Sequence, residues 1–584
     1  MVLPPGDAAR EIMEAWIARF DAAVGEGDVE AAEMLFAPAC HWRDVLAFDW
    51  NIVTVSGRDA IGARLAERLS LAWPEDFRLA ESRWPPRPVV RAGTHCLEGF
   101  IEFETESGHC DGVLRLVPAE GGGYQAWILM TALSEIAGHE ERLSQARAGG
   151  DAFKREWGGD NWLDIRNRQR AYADHDPTVL VVGGGQAGLA AAARLTHLGL
   201  DTLIVDGLPR IGDNWRLRYH SLVLHNEVYV NHMPYMPFPP TWPVYIPKDM
   251  LANWFELYVE ALELNYWTST KLTSGRYQDD AGFWEVTLER GDGSMRVMRP
   301  RHIVMATGVS AIPIMPDLPG LRDFKGTLMH SGAYDEGHAW KGKKALVIGT
   351  GNSAHDVAHD LYASGADVTM VQRASTHIVS LAEAQKPYAI YAEGPPTDDC
   401  DLLAMSAPYP VLRQGYQIMT KASKEADRPL HDALAARGFR LNDGVDGCGF
   451  QMSYLQRGGG YYFDVGASTL IAEGKIKVLD CARIERFTEK GVRLADGTEI
   501  AVDLIVCATG FKNLQDTARL LFGDEVADRI GPVWGFGEDG ELRNMWRPTP
   551  QPGLWFIAGS LAQCRIYSKA LALQIKAREV GLVT

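Results

Sequence analysis

The sequence lacks the features that mark disulfide-rich, membrane-spanning or nucleic-acid-binding proteins. Its eight cysteines are irregularly spaced and never form C-x-x-C, so we expect buried, reduced thiols, not a disulfide scaffold or zinc ribbon. Lys and Arg number 58 against 76 Asp and Glu, and the net charge of −18 disfavours nucleic-acid binding. The most apolar segment, 177–193, is broken by glycines and too short to span a bilayer. Without a signal-peptide pattern at the N-terminus, we expect a soluble, cytoplasmic protein.

The composition is that of an ordinary globular protein. The chain has 584 residues, of which 46% are hydrophobic and 23% charged. At roughly 150 residues per domain, this length predicts three or four domains with a large buried core.

Residues 1–140 form one compositional unit. Apolar spacing predicts helices over 8–24, 29–36 and 57–73, and then strands over 100–105, 113–117 and 124–133 with a glycine turn at 121–123. Helices followed by a curved antiparallel sheet predict an α+β cone. This order, with His41-Trp42-Arg43-Asp44 after the second helix, resembles the NTF2-like or SnoaL-like fold. The resemblance implies a binding module or a surface for homodimer formation.

A polar, glycine-containing linker is predicted at 141–176. Beyond it, strands alternate with helices, which is typical of parallel sheets.

The first chemical motif is a phosphate-binding turn. A β-branched run at 178–182 enters G-x-G-x-x-G at 183–188, and an Ala-rich helix follows. These glycines allow a tight turn and close approach of a pyrophosphate to the helix N-terminus. The next strand ends at Asp206, whose carboxylate suits the ribose hydroxyls of FAD. The predicted FAD-binding residues here are Gly183, Gly185, Gln186, Ala187, Gly188 and Asp206.

A second turn, GTGNSA at 349–354, follows the apolar run 345–348. The next strand ends in Gln372-Arg373 and carries no acid, and an arginine there suits the 2′-phosphate of NADPH. Two turns imply two dinucleotides, FAD and NADPH. The predicted NADPH-binding residues are Gly349, Gly351, Asn352, Ser353 and Arg373.

Two further ATG segments follow apolar strands, at 306–308 and 508–510. The run LIVCATG at 504–510 and the segment 554–576 are candidates for the late strand and helix that close the FAD domain. We therefore predict an α/β fold with FAD-binding segments at 177–335 and 501–584 and an NADPH-binding domain inserted at 336–500. The added cofactor contacts are Thr307, Gly308, Thr509 and Gly510.

Between the two turns stands F-x-G-x-x-x-H-x-x-x-Y at 324–334. With GDNW at 212–215, GNS at 351–353 and ATGF at 508–511, residues 177–584 resemble the flavin-containing monooxygenases. The segments 218–225 and 242–251 resemble the YUCCA-like branch. The resemblance adds Asn214 and Trp215 as cofactor contacts. It implies that NADPH reduces FAD and that a C4a-hydroperoxyflavin then oxygenates a small substrate at N, S or a 2-oxo acid.

The resemblance also implies that few side chains are catalytic. The candidate is Asn226, in an L-x-x-N setting, with His225 as second choice because the register is open by one residue. No metal site is predicted. Baeyer–Villiger monooxygenases share most of these motifs but carry Trp where this chain has Tyr334, and an acid where it reads His225-Asn226. Ketone oxygenation stays open, as does an NADPH oxidase that forms H2O2.

Overall fold

The computed structural model describes residues 6–147 and 157–583. The glycines at 149 and 150 of the predicted linker lie outside these residues. The N-terminal unit contains α1 (Gly6–Glu26), α2 (Val29–Met34), β1 (Phe36–Val45), β2 (Ile52–Ser56), α3 (Arg58–Ala72), β3 (Glu75–Leu79), β4 (Arg87–Arg91), β5 (Thr94–Thr105), β6 (Gly108–Pro118) and β7 (Tyr124–Leu133).

The N-terminal unit packs its helices against one mixed sheet. The strand order is β2-β1-β7-β6-β5-β3 with β4 also on β5, and β1 and β7 pair in parallel. Trp16 and Phe20 on one face of α1 pack on Phe36 of β1, which explains the helical apolar spacing. The helices predicted at 8–24 and 57–73 are confirmed as α1 and α3. The helix predicted over 29–36 is too long, because Phe36 already begins β1. The NTF2-like assignment stays a prediction.

The next segment carries a parallel sheet. Its elements are α4 (Trp162–Ala171), β8 (Val179–Val182), α5 (Gln186–His197), β9 (Thr202–Val205), α6 (Asp213–Arg216), β10 (Val223–Glu227), β11 (Tyr245–Pro247), α7 (Lys248–Ala261), β12 (Asn265–Trp267), β13 (Lys271–Gln278), β14 (Phe283–Glu289), β15 (Met295–Met298) and β16 (His302–Met305). Strand β8 is buried along its whole length, as expected of a central strand covered on both faces.

A second parallel sheet follows. Its segment contains β17 (Thr327–His330), β18 (Lys344–Ile348), α8 (Asn352–Ala363), β19 (Asp367–Gln372), β20 (His377–Ser380), α9 (Leu381–Gln385), α10 (Thr397–Met405), α11 (Tyr409–Ala426), α12 (Arg428–Ala436), α13 (Gly449–Arg457), β21 (Tyr461–Asp464), α14 (Ala467–Ala472), β22 (Lys477–Asp480), β23 (Ile484–Thr488), β24 (Gly491–Leu494), β25 (Glu499–Ala501) and β26 (Leu504–Cys507).

The chain ends with α15 (Leu514–Phe522), α16 (Asp524–Ile530), β27 (Leu554–Phe556) and α17 (Leu561–Glu579). The first parallel sheet has the order β12-β9-β8-β16-β27, and the second has β17-β26-β18-β19-β22. Since β27 returns to the first sheet, the second sheet lies within a chain segment inserted into the first.

The predicted boundaries of the inserted segment need correction. Strand β26, expected to close the FAD-binding sheet, pairs instead with β18 and β17 of the second sheet. Strand β17, expected within the first FAD-binding segment, also belongs to the second sheet. The boundaries at 335 and 501 are therefore wrong for these two strands. Thr509 and Gly510 follow β26 and lie at the second sheet, where Thr509 Oγ1 donates to the Ile314 carbonyl at 2.6 Å.

The N-terminal unit is joined to the rest of the chain by buried ion pairs. Arg43 of β1 pairs with Glu541 at 2.7 Å, and both side chains are less than a tenth exposed. Arg83 pairs with Asp399 of α10 at 2.8 Å. These contacts hold the N-terminal sheet against α10 and against the segment that precedes β27. Among the described helices, none is long and apolar enough to cross a membrane.

Replacing Arg43 by Met should destabilise this junction strongly. Glu541 would keep its hydrogen bond from Thr54 Oγ1 at 2.9 Å but would lose its counterion in a buried site. Removing one partner of a buried pair costs about 3–5 kcal/mol, whereas replacing both by apolar groups is often neutral. The thermal unfolding midpoint should therefore drop for Arg43→Met and largely recover in Arg43→Met with Glu541→Leu. Equal midpoints for the single and double variants would contradict this account.

Candidate functional site

The first glycine turn joins β8 to α5 and leaves no room for side chains at two positions. Gly183 has φ +106°, and a Cβ there would lie 2.6 Å from the Ala306 carbonyl oxygen. A Cβ on Gly188 would overlap the Gly183 carbonyl oxygen. Gly185, the N-cap of α5, provides no side-chain cap, so the first N–H groups of the helix stay available. Such a helix N-terminus binds phosphate groups.

The side chains around this turn suit a dinucleotide. Asp206 Oδ2 and Oδ1 accept from the backbone N–H groups of Gly184, at 2.7 Å, and Leu208, at 2.8 Å, which orients the carboxylate at the end of β9. The Asn214 amide lies beside Gly185, with Nδ2 2.9 Å from the place a Cβ would occupy. The buried hydroxyl of Thr307 has no hydrogen-bond partner among the described residues. An open cradle, an oriented carboxylate and an orphaned hydroxyl fit FAD.

The remaining residues predicted for this turn lie on both sides of it. Trp215 Nε1 donates to Gln186 Oε1 at 3.3 Å, and Gln186 Nε2 donates to the Gly559 carbonyl at 3.3 Å. Ala187 is buried in α5, and Gly308 follows Thr307 with φ +76°. Gly559 was missed by the sequence analysis, although the predicted strand and helix at 554–576 include it.

The second glycine turn repeats this geometry between β18 and α8. Gly349 has φ +128°, and a Cβ there would meet the Ala508 carbonyl. Gly351 is the uncapped N-cap of α8, and a Cβ on it would meet only the Tyr461 carbonyl oxygen, at 3.7 Å. Asn352 Oδ1 accepts from the Phe463 N–H at 2.9 Å, and Ser353 follows, half-buried, in the first turn of α8. This cradle fits a second dinucleotide.

Arg373 lies exposed just after β19, beside this second turn. Arg440, which sequence patterns did not indicate, donates from Nη2 to the Arg373 carbonyl at 2.9 Å and reaches Asp480 Oδ1 at 3.3 Å. Arg440 therefore orients the backbone at the end of β19, and Arg373 stays the predicted contact for a ribose 2′-phosphate.

Replacing Arg373 by Ala should weaken NADPH binding and spare NADH. A charge-assisted contact to a phosphate contributes about 1.5–3 kcal/mol, so the KM for NADPH should rise roughly 10- to 100-fold. Steady-state flavin reduction with each nucleotide measures both constants. Arg373 is exposed, and its side chain takes no part in the hydrogen bonds or ion pairs between described residues. Equal losses with NADPH and NADH would therefore contradict the assignment.

Asn226 lies on β10, and neighbouring side chains hold its backbone. Asn231 Nδ2 donates to the Asn226 carbonyl at 2.9 Å. Gln385 of α9 accepts from the Glu227 N–H at 3.2 Å and donates to the His225 carbonyl at 2.9 Å. These three contacts fix the backbone at Asn226 and on each side of it. Asn231 and Gln385 lie 5 and 159 residues away, and no motif pointed to them.

A tyrosine from another element contacts the Asn226 side chain. The Tyr388 hydroxyl hydrogen-bonds Asn226; burial raises the pKa of Tyr388 to about 12, and this bond opposes the rise. Tyr388 therefore stays neutral at physiological pH, and its hydroxyl oxygen accepts the hydrogen bond from the Asn226 amide. His225 also lines the cavity but has other partners: its Nε2 lies 3.8 Å from Asp356 Oδ2 of α8, and its ring meets Phe463 edge-on. The geometry favours Asn226 over His225.

Of the predicted site residues, a cavity of about 670 Å³ brings together Gln186, Trp215, His225, Asn226 and Asn352. It extends from the first turn, at Gln186 and Trp215, past Asn226 to Asn352 of the second turn. Its other walls are rich in aromatic side chains: Tyr388, Tyr416, Phe450, Tyr454, Tyr461 and Phe463. In the described part of the chain, no three His, Cys, Asp or Glu side chains converge as a metal site.

The F-x-G-x-x-x-H-x-x-x-Y segment has a structural role. His330 Nδ1 accepts from the Gly332 N–H at 3.0 Å, and its Nε2 lies 3.1 Å from the Gly510 carbonyl, which the neutral ring can donate to. Burial lowers the pKa of His330, which keeps the ring neutral. Tyr334 donates to Asp360 of α8 at 2.6 Å. The motif therefore attaches β17 to the second sheet.

The comparisons with known proteins agree with this geometry. Residues 177–394 match the flavin-binding monooxygenase-like family. An indole-3-pyruvate monooxygenase of Oryza sativa, YUCCA1, is 29% identical over 60% of this chain and 80% of its own length. A probable indole-3-pyruvate monooxygenase of Arabidopsis thaliana, YUCCA3, is 30% identical over 57% of this chain and 73% of its own. A cyclohexanone monooxygenase bound to ε-caprolactone superposes with a TM-score of 0.51 at 20% identity, over 70% of this chain and 89% of its own.

Proposed function

Since the chain belongs to the flavin-binding monooxygenase family, we propose that it is an oxygenating enzyme. It uses FAD, NADPH and O2 to oxygenate a small organic substrate in the cavity beside Asn226. The observation that carries the proposal is the cavity itself, since it joins the two uncapped glycine turns to one aromatic chamber. When bound, the two cofactors supply hydride transfer and O2 activation, and the polypeptide supplies binding, orientation and shielding from water.

The roles of the side chains follow from their positions. The first turn, Asp206, Asn214 and Thr307 would hold FAD, and the second turn with Arg373 would hold NADPH. Asn226, held by its backbone neighbours and by Tyr388, presents an uncharged amide to the cavity. An amide can donate a hydrogen bond at any pH, which suits a site that must stabilise a polar oxygen species without supplying a titratable proton.

The substrate class rests on the relatives and on the site. The two named relatives act, as their names state, on indole-3-pyruvate, so a 2-oxo acid is one candidate, and N- or S-oxygenation is the other. Ketone oxygenation of the Baeyer–Villiger type is the second function, favoured by the fold shared with cyclohexanone monooxygenase. Tyr334 and His225-Asn226 depart from the Baeyer–Villiger pattern, which places this second function behind the first.

Replacing Asn226 by Leu should uncouple NADPH consumption from oxygenation. Leucine has a similar volume but no amide donors, so flavin reduction by NADPH should change little while H2O2 per NADPH rises and oxygenated product falls. Losing a pre-organised donor costs roughly 10²–10³-fold in the step it serves. The measurement is H2O2 and product yield per NADPH with a panel of amines, sulfides, ketones and 2-oxo acids.

His225→Leu is the comparison variant, because His225 is next in sequence and also lines the cavity. If His225→Leu uncouples the reaction and Asn226→Leu does not, the roles of the two residues are reversed. If the parent protein forms only H2O2 with every substrate in the panel, it is an NADPH oxidase and the monooxygenase proposal fails.

A further inference from the structure

One wall of the cavity comes from the N-terminal unit. Arg91 at the end of β4 and Arg115 of β6 line the cavity that also contains Asn226. The family match begins at residue 177, so these arginines lie outside it. The catalytic fold alone therefore does not build the whole cavity.

A single carboxylate holds both guanidinium groups in place. Glu98 of β5 is 1% exposed. Its Oε2 accepts from Arg91 Nε at 2.8 Å and from Arg115 Nε at 2.9 Å, and its Oε1 accepts from Arg91 Nη2 at 2.6 Å. Arg115 Nη1 donates to Ser406, which directly follows α10, at 2.8 Å. Arg91 Nη1 and Arg115 Nη2 take no part in the hydrogen bonds between described residues, so these two nitrogens can donate to a ligand.

The charges at this wall are unbalanced. Arg87 also reaches Glu98, at 3.4 Å, so three guanidinium groups surround one carboxylate. Burial opposes ionisation of Glu98, but Arg115 and Arg91 outweigh it and lower the pKa of Glu98 to about 2, so the carboxylate stays charged. Among the other charged groups at the cavity, Arg43 is neutralised by Glu541, and Lys386 pairs with Glu383 at 2.6 Å. Glu393 acts on Arg91 and offsets one of the three positive charges, so one positive charge is left in excess. The wall is positive in a chain whose net charge is −18.

We propose that Arg91 and Arg115, held by Glu98, bind the carboxylate of an acidic substrate, so that the N-terminal unit selects substrates by charge; this rests on the proposed function of the cavity. Arginine presents paired N–H donors that match the two oxygens of a carboxylate. The aromatic walls formed by Tyr416, Phe450 and Tyr461 accommodate the apolar body of the same molecule. The favoured substrate is an acid with an apolar or aromatic body.

The test compares two ligands that differ only in the charged group. Phenylpyruvate and phenylacetone share a benzyl ketone, but one carries a carboxylate where the other carries a methyl group. Their dissociation constants for the oxidised holoenzyme are measured by calorimetric titration, without turnover. We expect phenylpyruvate to bind at least 10-fold more tightly than phenylacetone. In Arg91→Gln, the affinity for phenylpyruvate should fall about 10- to 100-fold, while the affinity for phenylacetone should stay the same.

Arg87→Gln is the matched control. Arg87 contacts the same Glu98 carboxylate and has a similar exposure, 24% against 27%, but it does not line the cavity. Arg87→Gln should leave both dissociation constants unchanged. Arg91→Lys, which keeps the charge but loses the planar fork, should give an intermediate loss.

The proposal is overturned if wild-type protein binds both ligands equally, if phenylpyruvate does not bind, or if Arg87→Gln and Arg91→Gln lose the same affinity. NADPH reduction of the flavin in the same samples reports on the proposed function separately. If the enzyme is yellow and NADPH reduces it but it shows no preference for the carboxylate, only the carboxylate-binding proposal fails. If the protein is colourless, or if NADPH does not reduce its flavin, the proposed function fails.

Discussion

Gly185→Val protein is expected to purify folded but without flavin. The backbone at Gly185 is extended, with φ −79° and ψ −171°, so valine can adopt it without strain. The added Cβ meets only the end of the Asn214 amide, with Nδ2 at 2.9 Å. The valine side chain would occupy the space that a pyrophosphate takes at the N-terminus of such a helix. The valine would crowd the pyrophosphate and block its contacts with the backbone N–H groups of α5, so we expect FAD binding to weaken by at least about 100-fold.

The visible absorbance of the purified protein measures this loss, and circular dichroism checks that the fold is retained. Gly188→Val is the contrasting variant, since its side chain would overlap the Gly183 carbonyl and should disrupt the packing of α5 on β8. Full flavin content in folded Gly185→Val protein would show that the first turn does not hold FAD.

Gly351→Val is expected to keep its flavin and to lose reduction by NADPH. This glycine occupies the same place in the second turn, with φ −87° and ψ −172°, and its nearest neighbour would be 3.7 Å from an added Cβ. The protein itself therefore has room for the added Cβ, whereas a dinucleotide bound at the N-terminus of α8 would meet the valine side chain. We expect the affinity for NADPH to fall by at least about 100-fold.

Anaerobic stopped-flow reduction of the bound flavin provides the measurement. Dithionite should still reduce the flavin of the variant, which separates a binding defect from a damaged flavin site. Gly185→Val and Gly351→Val thus form a pair in which each variant controls for the other. If Gly351→Val is reduced by NADPH at the parental rate, the nucleotide binds elsewhere and the role of Arg373 also fails.

Local sequence patterns predicted the two turns because the relevant interactions are local. Gly183 and Gly349 need a positive φ, and Gly188 must pack against a carbonyl five residues earlier. The strand before and the helix after each turn are adjacent in sequence, so a short segment contains the whole cradle. The same holds for the acid or arginine at the end of the following strand.

Sheet membership could not be predicted in the same way. The runs Leu504–Cys507 and Leu554–Phe556 are both short, apolar and fully buried, and nothing in their composition indicates which sheet each joins. Pairing in a parallel sheet depends on where the crossover places the strand, and for β26 the partners β17 and β18 lie more than 150 residues earlier. The expectation for 504–510 was wrong for this reason.

The two cradles, NADPH as the second cofactor and Asn226 as the candidate side chain were all predicted from local sequence patterns. Only the tertiary structure decided what surrounds them: Gln385 and Tyr388 at Asn226, Arg440 at Arg373, and the arginine wall contributed by the N-terminal unit. Arg440 lies 67 residues from Arg373 in the sequence, and Gln385 lies 159 residues from Asn226. A side chain that acts across such a distance leaves no periodic or local mark in the sequence, because its role depends on how separate elements pack.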